Sequence, residues 1–153
     1  SSYGSFDVIA GTATAGIPHA AWIAGKLNLP MIYVRNKSKD HGKENLIEGV
    51  LKKRQKVVVV EDLISTAQSS VFTINAARSV GAIANVIFAI TTYNLLKSKE
   101  VLKENKVKLI SLTNLSDLSS IALKNKHITV REHGMILQWA KDPSSWGKRM
   151  GFE

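Results

Sequence analysis

Two adjacent carboxylates, Glu61 and Asp62, follow four valines and precede a hydroxyl-rich turn in the run VVVVEDLISTAQSS at residues 57–70. The β-branched residues predict a buried strand. Ser65, Thr66, Ser69 and Ser70 sit where a helix would open. Paired acids at a strand end could bind a metal, work as an acid–base pair, or accept hydrogen bonds from sugar hydroxyls. Neighbouring strand residues point to opposite sides, so contacts to two different hydroxyls fit better than convergence on one atom. Exposed N–H groups of an opening helix favour a phosphate. The run therefore suggests a ligand with vicinal sugar hydroxyls and a phosphate ester; a plain polar strand exit with a Ser/Thr cap is the competing reading.

Two further segments carry small or cationic groups. GTATAG at residues 11–16 has glycines and small residues that let a ligand approach the backbone. It is neither G-x-G-x-x-G nor a P-loop, and alone it could equally be a tight strand-to-helix turn. RNKSKDHGK at residues 35–43 holds one Arg, three Lys and one His. On a mobile loop these could close over a polyanion, although a basic run is usually a solvated surface. No His pair has metal-ligand spacing. His19 reads as structural, and Trp22, Trp139 and Trp146 as packing residues. Lys52, Lys53, Arg54 and Lys56 read as an exposed turn at a strand entry.

The elements that must position these groups alternate. Apolar runs at residues 6–9, 31–34, 57–60, 84–91 and 107–112 predict strands. Helices are expected at 17–27, with Pro18 in the first turn, at 69–80 ending before Gly81, from an Asn94 cap to about 105, at 114–124, and from a Thr129 capping box to Asp142. In the fourth of these, Leu115, Leu118, Ile121 and Ala122 fall on one face. Continuous apolar strands alternating with helices predict an α/β fold: a doubly wound parallel sheet of about five strands with helices on both faces. Ligands of such sheets bind at the carboxyl ends of the strands. Residues 10–16, 35–43 and 61–70 all follow strands, which places them at one end.

The 153 residues suffice for one domain, without an internal repeat. The net charge of +9 favours anionic partners. Cysteine is absent, which removes disulfides and thiolate nucleophiles. No apolar run has membrane-spanning length and no signal-peptide pattern is present, so a cytoplasmic protein without membrane or nucleic-acid partners is expected.

Together the three segments resemble the type I phosphoribosyltransferases. Residues 57–70 are similar to that family's signature for phosphoribosyl pyrophosphate (PRPP), and GTATAGIPHA at 11–20 to its pyrophosphate loop. YVRNKSKDHG at 33–42, followed by Ile47, Glu48 and Gly49, resembles the catalytic loop of the orotate branch. The resemblance runs from about Phe6 to Leu137. It implies transfer of the phosphoribosyl group from PRPP to orotate, giving orotidine 5′-monophosphate and pyrophosphate, with Mg²⁺ carried by PRPP. The implied catalytic residues are Lys39, His41 and Asp62. Glu61 and Asp62 would hold the ribose hydroxyls, within a PRPP-binding stretch that includes Leu63 and Ile64. Thr66, Ala67, Gln68 and Ser69 would wrap the 5′-phosphate, and Ser65 would sit near orotate. Thr12, Ala13 and Thr14 would form the pyrophosphate loop. Arg35, Lys39 and His41 would bind pyrophosphate, the last two across a homodimer.

The pattern departs from the family in two places. The family usually has Gly at the positions of Ala67 and Gln68. Orotate enzymes also carry an N-terminal base-binding segment with a Lys, which this sequence is expected to lack. A PRPP-sensing, nucleic-acid-binding regulator on the same fold and a purine phosphoribosyltransferase are the alternative expectations.

Overall fold

The computed structural model describes residues 5–35 and 46–151. One six-stranded sheet organises them, with the order β3-β2-β1-β4-β5-β6. The strands are β1 (Val8–Thr12), β2 (Met31–Val34), β3 (Ile47–Glu48), β4 (Lys56–Ile64), β5 (Ile83–Thr92) and β6 (Lys108–Asn114). The five long strands are parallel, as expected; β3 is an antiparallel addition on the β2 edge, pairing Tyr33 with Glu48 and Val34 with Ile47. Too short to show a periodic pattern, it was not legible as a strand.

The helices are α1 (Gly16–Leu27), α2 (Gln68–Ser79), α3 (Leu96–Glu104), α4 (Leu115–Lys124), α5 (Val130–Lys141) and α6 (Pro143–Arg149). Sheet alternation divides the core in two. Val57 and Val59 pack with Val71, Ile74 and Ala77 of α2 and with Val101 and Leu102 of α3. Val58 and Val60 pack on the other face with Ala20 and Ala24 of α1. Burial on both faces is why β4 reads as unbroken valines rather than as an alternating strand.

β1 leads through α1 to β2 on one side, whereas β4 leads through α2 to β5 on the other. The chain reverses direction between β1 and β4. That is the topological switch point, where the two loops diverge and a crevice opens at the carboxyl ends of the strands. β1 pairs with β4 only as far as Gly11 opposite Val60, while β4 continues beside β5 to Ile64 opposite Thr92. Glu61 and Asp62 thus lie within the strand, just where its β1 partner has left.

Several local expectations are corrected. Asn94 does not cap α3; it sits at φ +58° and donates its N–H to Thr92 Oγ1 at 3.0 Å, and Leu95 is the cap. Asp142 does end the helix that opens at Thr129, as expected, but a further short helix follows it. It closes α5 and caps α6, where Pro143 takes the first turn and Ser145 donates to the Asp142 carboxylate. The apolar residues of α4 do share a face, as expected, but Leu118 and Ile121 on it are 46% and 56% exposed. Trp22 likewise is 71% exposed and makes an edge contact with His19 instead of packing inward. Trp139 does pack, edge-on to Tyr93. The basic turn is as expected, with Arg54 at φ +68° donating its N–H to Gly81 O at 2.8 Å.

Candidate active site

The β1–α1 loop and the β4–α2 loop flank the crevice. Thr12, the last residue of β1, is buried. Ala13 and Thr14 follow across a cis peptide bond, with Ala13 half-buried and Thr14 exposed. The loop is anchored at both ends: Ala13 donates to Val34 O at 3.3 Å, and Ile17 to Thr14 O at 3.3 Å. Gly16 then starts α1 against the end of β4. A Cβ at Gly16 would stand 2.5 Å from Val60 O and 3.2 Å from Glu61 Oε1, so only glycine permits this approach.

The second loop follows Ile64, which is buried and accepts from Tyr93 N–H and the Thr92 hydroxyl. Ser65 is exposed and Thr66 half-buried at the strand end. Ala67 caps α2 at φ +66°, a left-handed conformation that favours glycine, and its carbonyl accepts from Val71 N–H at 2.9 Å. Gln68 and Ser69 are exposed in the first turn, where the amides of a helix N-terminus are available to an anion.

The two acids differ sharply. Asp62 is half-buried, as is Leu63. Glu61 is 7% exposed, and Ser70 Oγ donates to its Oε2 at 3.0 Å. Burial pushes the Glu61 carboxyl up to about 7; the nearby Asp62 carboxyl adds to the rise, and the Ser70 and Thr12 hydroxyls oppose it. On the α1 side, an open apolar depression of about 260 Å³, lined in part by Trp22, Phe88 and Leu112, reaches Glu61.

Among the basic-loop residues, Arg35 follows β2 and forms an ion pair with Glu48 of β3. Lys39 and His41 lie outside the described residues. Among the described residues no three His, Cys, Asp or Glu side chains gather as a metal cage.

The segments 10–16 and 61–70 that the sequence places at one end of the sheet include Gly16 and Ser70, but neither residue was assigned a role of its own. Ser70 carried a signal: with Ile74 and Ala77 it falls at i, i+4, i+7, the spacing of the buried face of α2.

The phosphoribosyl transferase domain family matches residues 2–121. The chain is 51% identical over 147 residues to an orotate phosphoribosyltransferase of Listeria innocua, spanning 96% of this chain and 70% of that relative. Among solved structures, orotate phosphoribosyltransferase from Aeropyrum pernix superposes with a TM-score of 0.68 at 31% identity, covering 81% of this chain and 67% of that one. UMP synthase of Leishmania donovani gives a TM-score of 0.77 at 28% identity, over 91% of this chain and 30% of that one. A nucleotide-type crevice at the switch point, a helix-opening cradle beside paired acids, and half-identity over nearly the whole length agree: the chain belongs to the orotate phosphoribosyltransferase family.

Proposed function

We propose that this protein transfers the 5-phosphoribosyl group from PRPP to orotate, forming orotidine 5′-monophosphate and pyrophosphate. The observation that carries the reading is the pair of loops facing each other across the switch point, one opening α2 and the other opening α1, with Asp62 half-buried between them.

In this reading the residues 66–69 wrap the 5′-phosphate with backbone N–H groups and hydroxyls. Asp62 accepts from ribose hydroxyls, and Ser65 lies at the base. Thr12, Ala13 and Thr14 receive the diphosphate end. The bond from ribose C1 to the diphosphate oxygen breaks with its electron pair going to pyrophosphate, and orotate N1 forms the new bond to C1 as its N–H proton passes to the departing pyrophosphate. Positive charge develops on the ribose and negative charge on the leaving group, so the protein needs no nucleophile. Its task is to hold the ribose and neutralise the leaving oxygens. Arg35, Lys39 and His41 supply that neutralisation, the last two from a second subunit, and Mg²⁺ enters bound to PRPP. Water must be kept from the ribose while it carries positive charge. A cytoplasmic homodimer that does not bind nucleic acid fits these roles; no helix among the described residues is long and apolar enough to cross a membrane.

The test is a spectrophotometric assay of the intact gene product with orotate, PRPP and Mg²⁺. Orotate consumption that depends on PRPP is expected. Consumption of adenine or xanthine in its place would overturn the choice of acceptor.

A further inference from the structure

The end of the sheet opposite the crevice carries most of the positive charge of the described residues. Helices between parallel strands return the chain to the strands' starting ends, so the turns after α1, α2 and α3 gather there, with the β3–β4 turn and the end of α4. The β3–β4 turn exposes Lys52, Lys53, Arg54 and Lys56. Lys103 and Lys106 are exposed around the end of α3, Lys124 and Lys126 around the end of α4, and Lys26 at the end of α1. Two acids, Asp7 and Glu104, stand against these nine cations, whereas the other described residues hold nine cations and seven acids. Among the described residues none of the nine forms an ion pair.

The turns form one surface. Arg54 donates its N–H to Gly81 O and Ile83 donates to Gln55 O, both at 2.8 Å, which joins the β3–β4 turn to the turn after α2. The Arg78 guanidinium donates to Ala84 O at 2.7 Å and to Asn105 O at 3.0 Å, which joins that turn to the one after α3. Among the cations, Val80 and Ile83 are 40% and 49% exposed.

Helix dipoles explain only part of this charge. A cation in the last turn complements the carbonyl end of a helix, which accounts for Lys26, Lys103 and Lys124. The four cations of the β3–β4 turn lie on no helix, and Lys106 and Lys126 lie beyond theirs. Like charges on joined turns repel one another, and an anionic surface laid against them relieves that cost.

The same turns select among polyanions. No Phe, Tyr or Trp occurs in residues 26–30, 51–56, 78–83, 103–108 or 124–129, so they offer no platform for stacked bases. Helices α1 to α4 reach this end by their carbonyl termini, which repel phosphate rather than bind it. Long lysine stems around exposed aliphatic side chains suit a bilayer interface, with ammonium groups at the headgroups and apolar tips at the acyl boundary. Such contact is peripheral and needs no membrane-spanning helix.

We propose that this basic face docks the protein on an anionic lipid bilayer, with the crevice at the far end of the strands facing water. The proposal does not rest on the PRPP reading.

The test is sedimentation of the full-length protein with vesicles of phosphatidylcholine alone or with about 30% phosphatidylserine. At low salt, binding to the mixed vesicles should be at least about tenfold tighter, and it should weaken as salt rises. Each lysine near an anionic leaflet strengthens binding about fivefold. Lys52→Glu, Lys53→Glu and Lys106→Glu combined should therefore weaken it by about a hundredfold or more with an unchanged melting temperature. The same number of reversals near the start of α3 and the end of α5, Lys97→Glu, Lys99→Glu and Lys141→Glu, should cost less than about fivefold. In hydrogen exchange, mixed vesicles should slow the amides of 52–56 and 104–107 and leave 65–69 unchanged.

Equal binding to both vesicle types, or an equal loss in the two triple variants, would overturn the proposal. Release from the vesicles by duplex RNA at equal phosphate concentration would make nucleic acid the partner instead. Protection at 65–69 would overturn the outward-facing crevice. If the protein turned over no orotate, the proposed function would fall, and the vesicle experiments would still decide the docking face.

Discussion

Glu61 in β4 and Glu132 in α5 both accept a hydrogen bond from a nearby hydroxyl or amide, yet their carboxyls are driven in opposite directions. Glu61 accepts from Ser70 at 3.0 Å, and burial overrides that bond to raise its pKa to about 7. Glu132 accepts from the Thr129 N–H at 2.7 Å and from the Thr129 hydroxyl at 2.8 Å; it stays exposed and is held below the ordinary carboxylate value. One hydrogen bond does not repay the loss of water around a carboxylate, whereas the same bond in water favours the charged form outright. The site end of the sheet is built on the first regime and the C-terminal helices on the second. The molecule thus keeps its costly groups at the switch point and its stabilising ones on the periphery.

The largest expected effect separates the two acids of the site. Asp62 is open to a ligand where Glu61 is not. Two charge-assisted hydrogen bonds to ribose hydroxyls are together worth about 3 kcal/mol, or about a hundredfold in rate. Asp62→Ala is therefore expected to lower kcat/KM for PRPP about a hundredfold with an unchanged melting temperature. A loss below about threefold in the same assay would remove Asp62 from the site.

A smaller effect contrasts the buried and exposed glutamates directly. The folded pKa of Glu61 lies above its ordinary value of 4.5, so the folded state holds this proton more tightly than the unfolded one. Its contribution is fully present below about pH 4.5 and is lost as pH rises through about 7. The shift corresponds to about 3 kcal/mol at most. Glu132 and Asp142 are lowered, so their contributions are present at neutral pH and lost as pH falls through their folded values. Glu61→Gln should flatten the alkaline decline in thermal stability between pH 4.5 and 7. Glu132→Gln, which preserves the capping box, should flatten only part of the acid decline. Denaturation scans across pH check both, and an alkaline decline that persists in Glu61→Gln would mean another group carries it.

The same contrast explains what the sequence could tell. The capping box at Thr129 and Glu132 is a local pattern, with donor and acceptor three residues apart, and it was legible. So was β4, because burial on both faces leaves no alternation to misread. The Arg35–Glu48 pair was not, because it depends on β3 folding back along β2. Nor was the burial of Glu61: strand alternation says which side a residue takes, not whether β1 has already departed or how closely Gly16 approaches. The exposure of the α4 stripe was not legible either. Periodicity shows an apolar face, but whether anything covers Leu118 and Ile121 depends on the packing of other elements.

The smallest predicted effect concerns Ala67, where the site departs from its family's usual glycine. At φ +66° the Ala67 methyl crowds the backbone, at a cost of roughly 1–2 kcal/mol. Glycine would relieve that but would gain freedom in the unfolded chain, offsetting about 0.4–1 kcal/mol. Ala67→Gly should therefore stabilise the fold by about 0.5 kcal/mol, which raises the melting temperature by roughly 1–2 °C for a chain of this size. In the binding mode proposed above, PRPP affinity should hold or tighten. The same substitution at Ala76, inside α2, provides the contrast: there glycine should cost about 1 kcal/mol. Destabilisation by Ala67→Gly as large as that at Ala76 would show that the methyl's packing, at 5% exposure, outweighs its left-handed backbone.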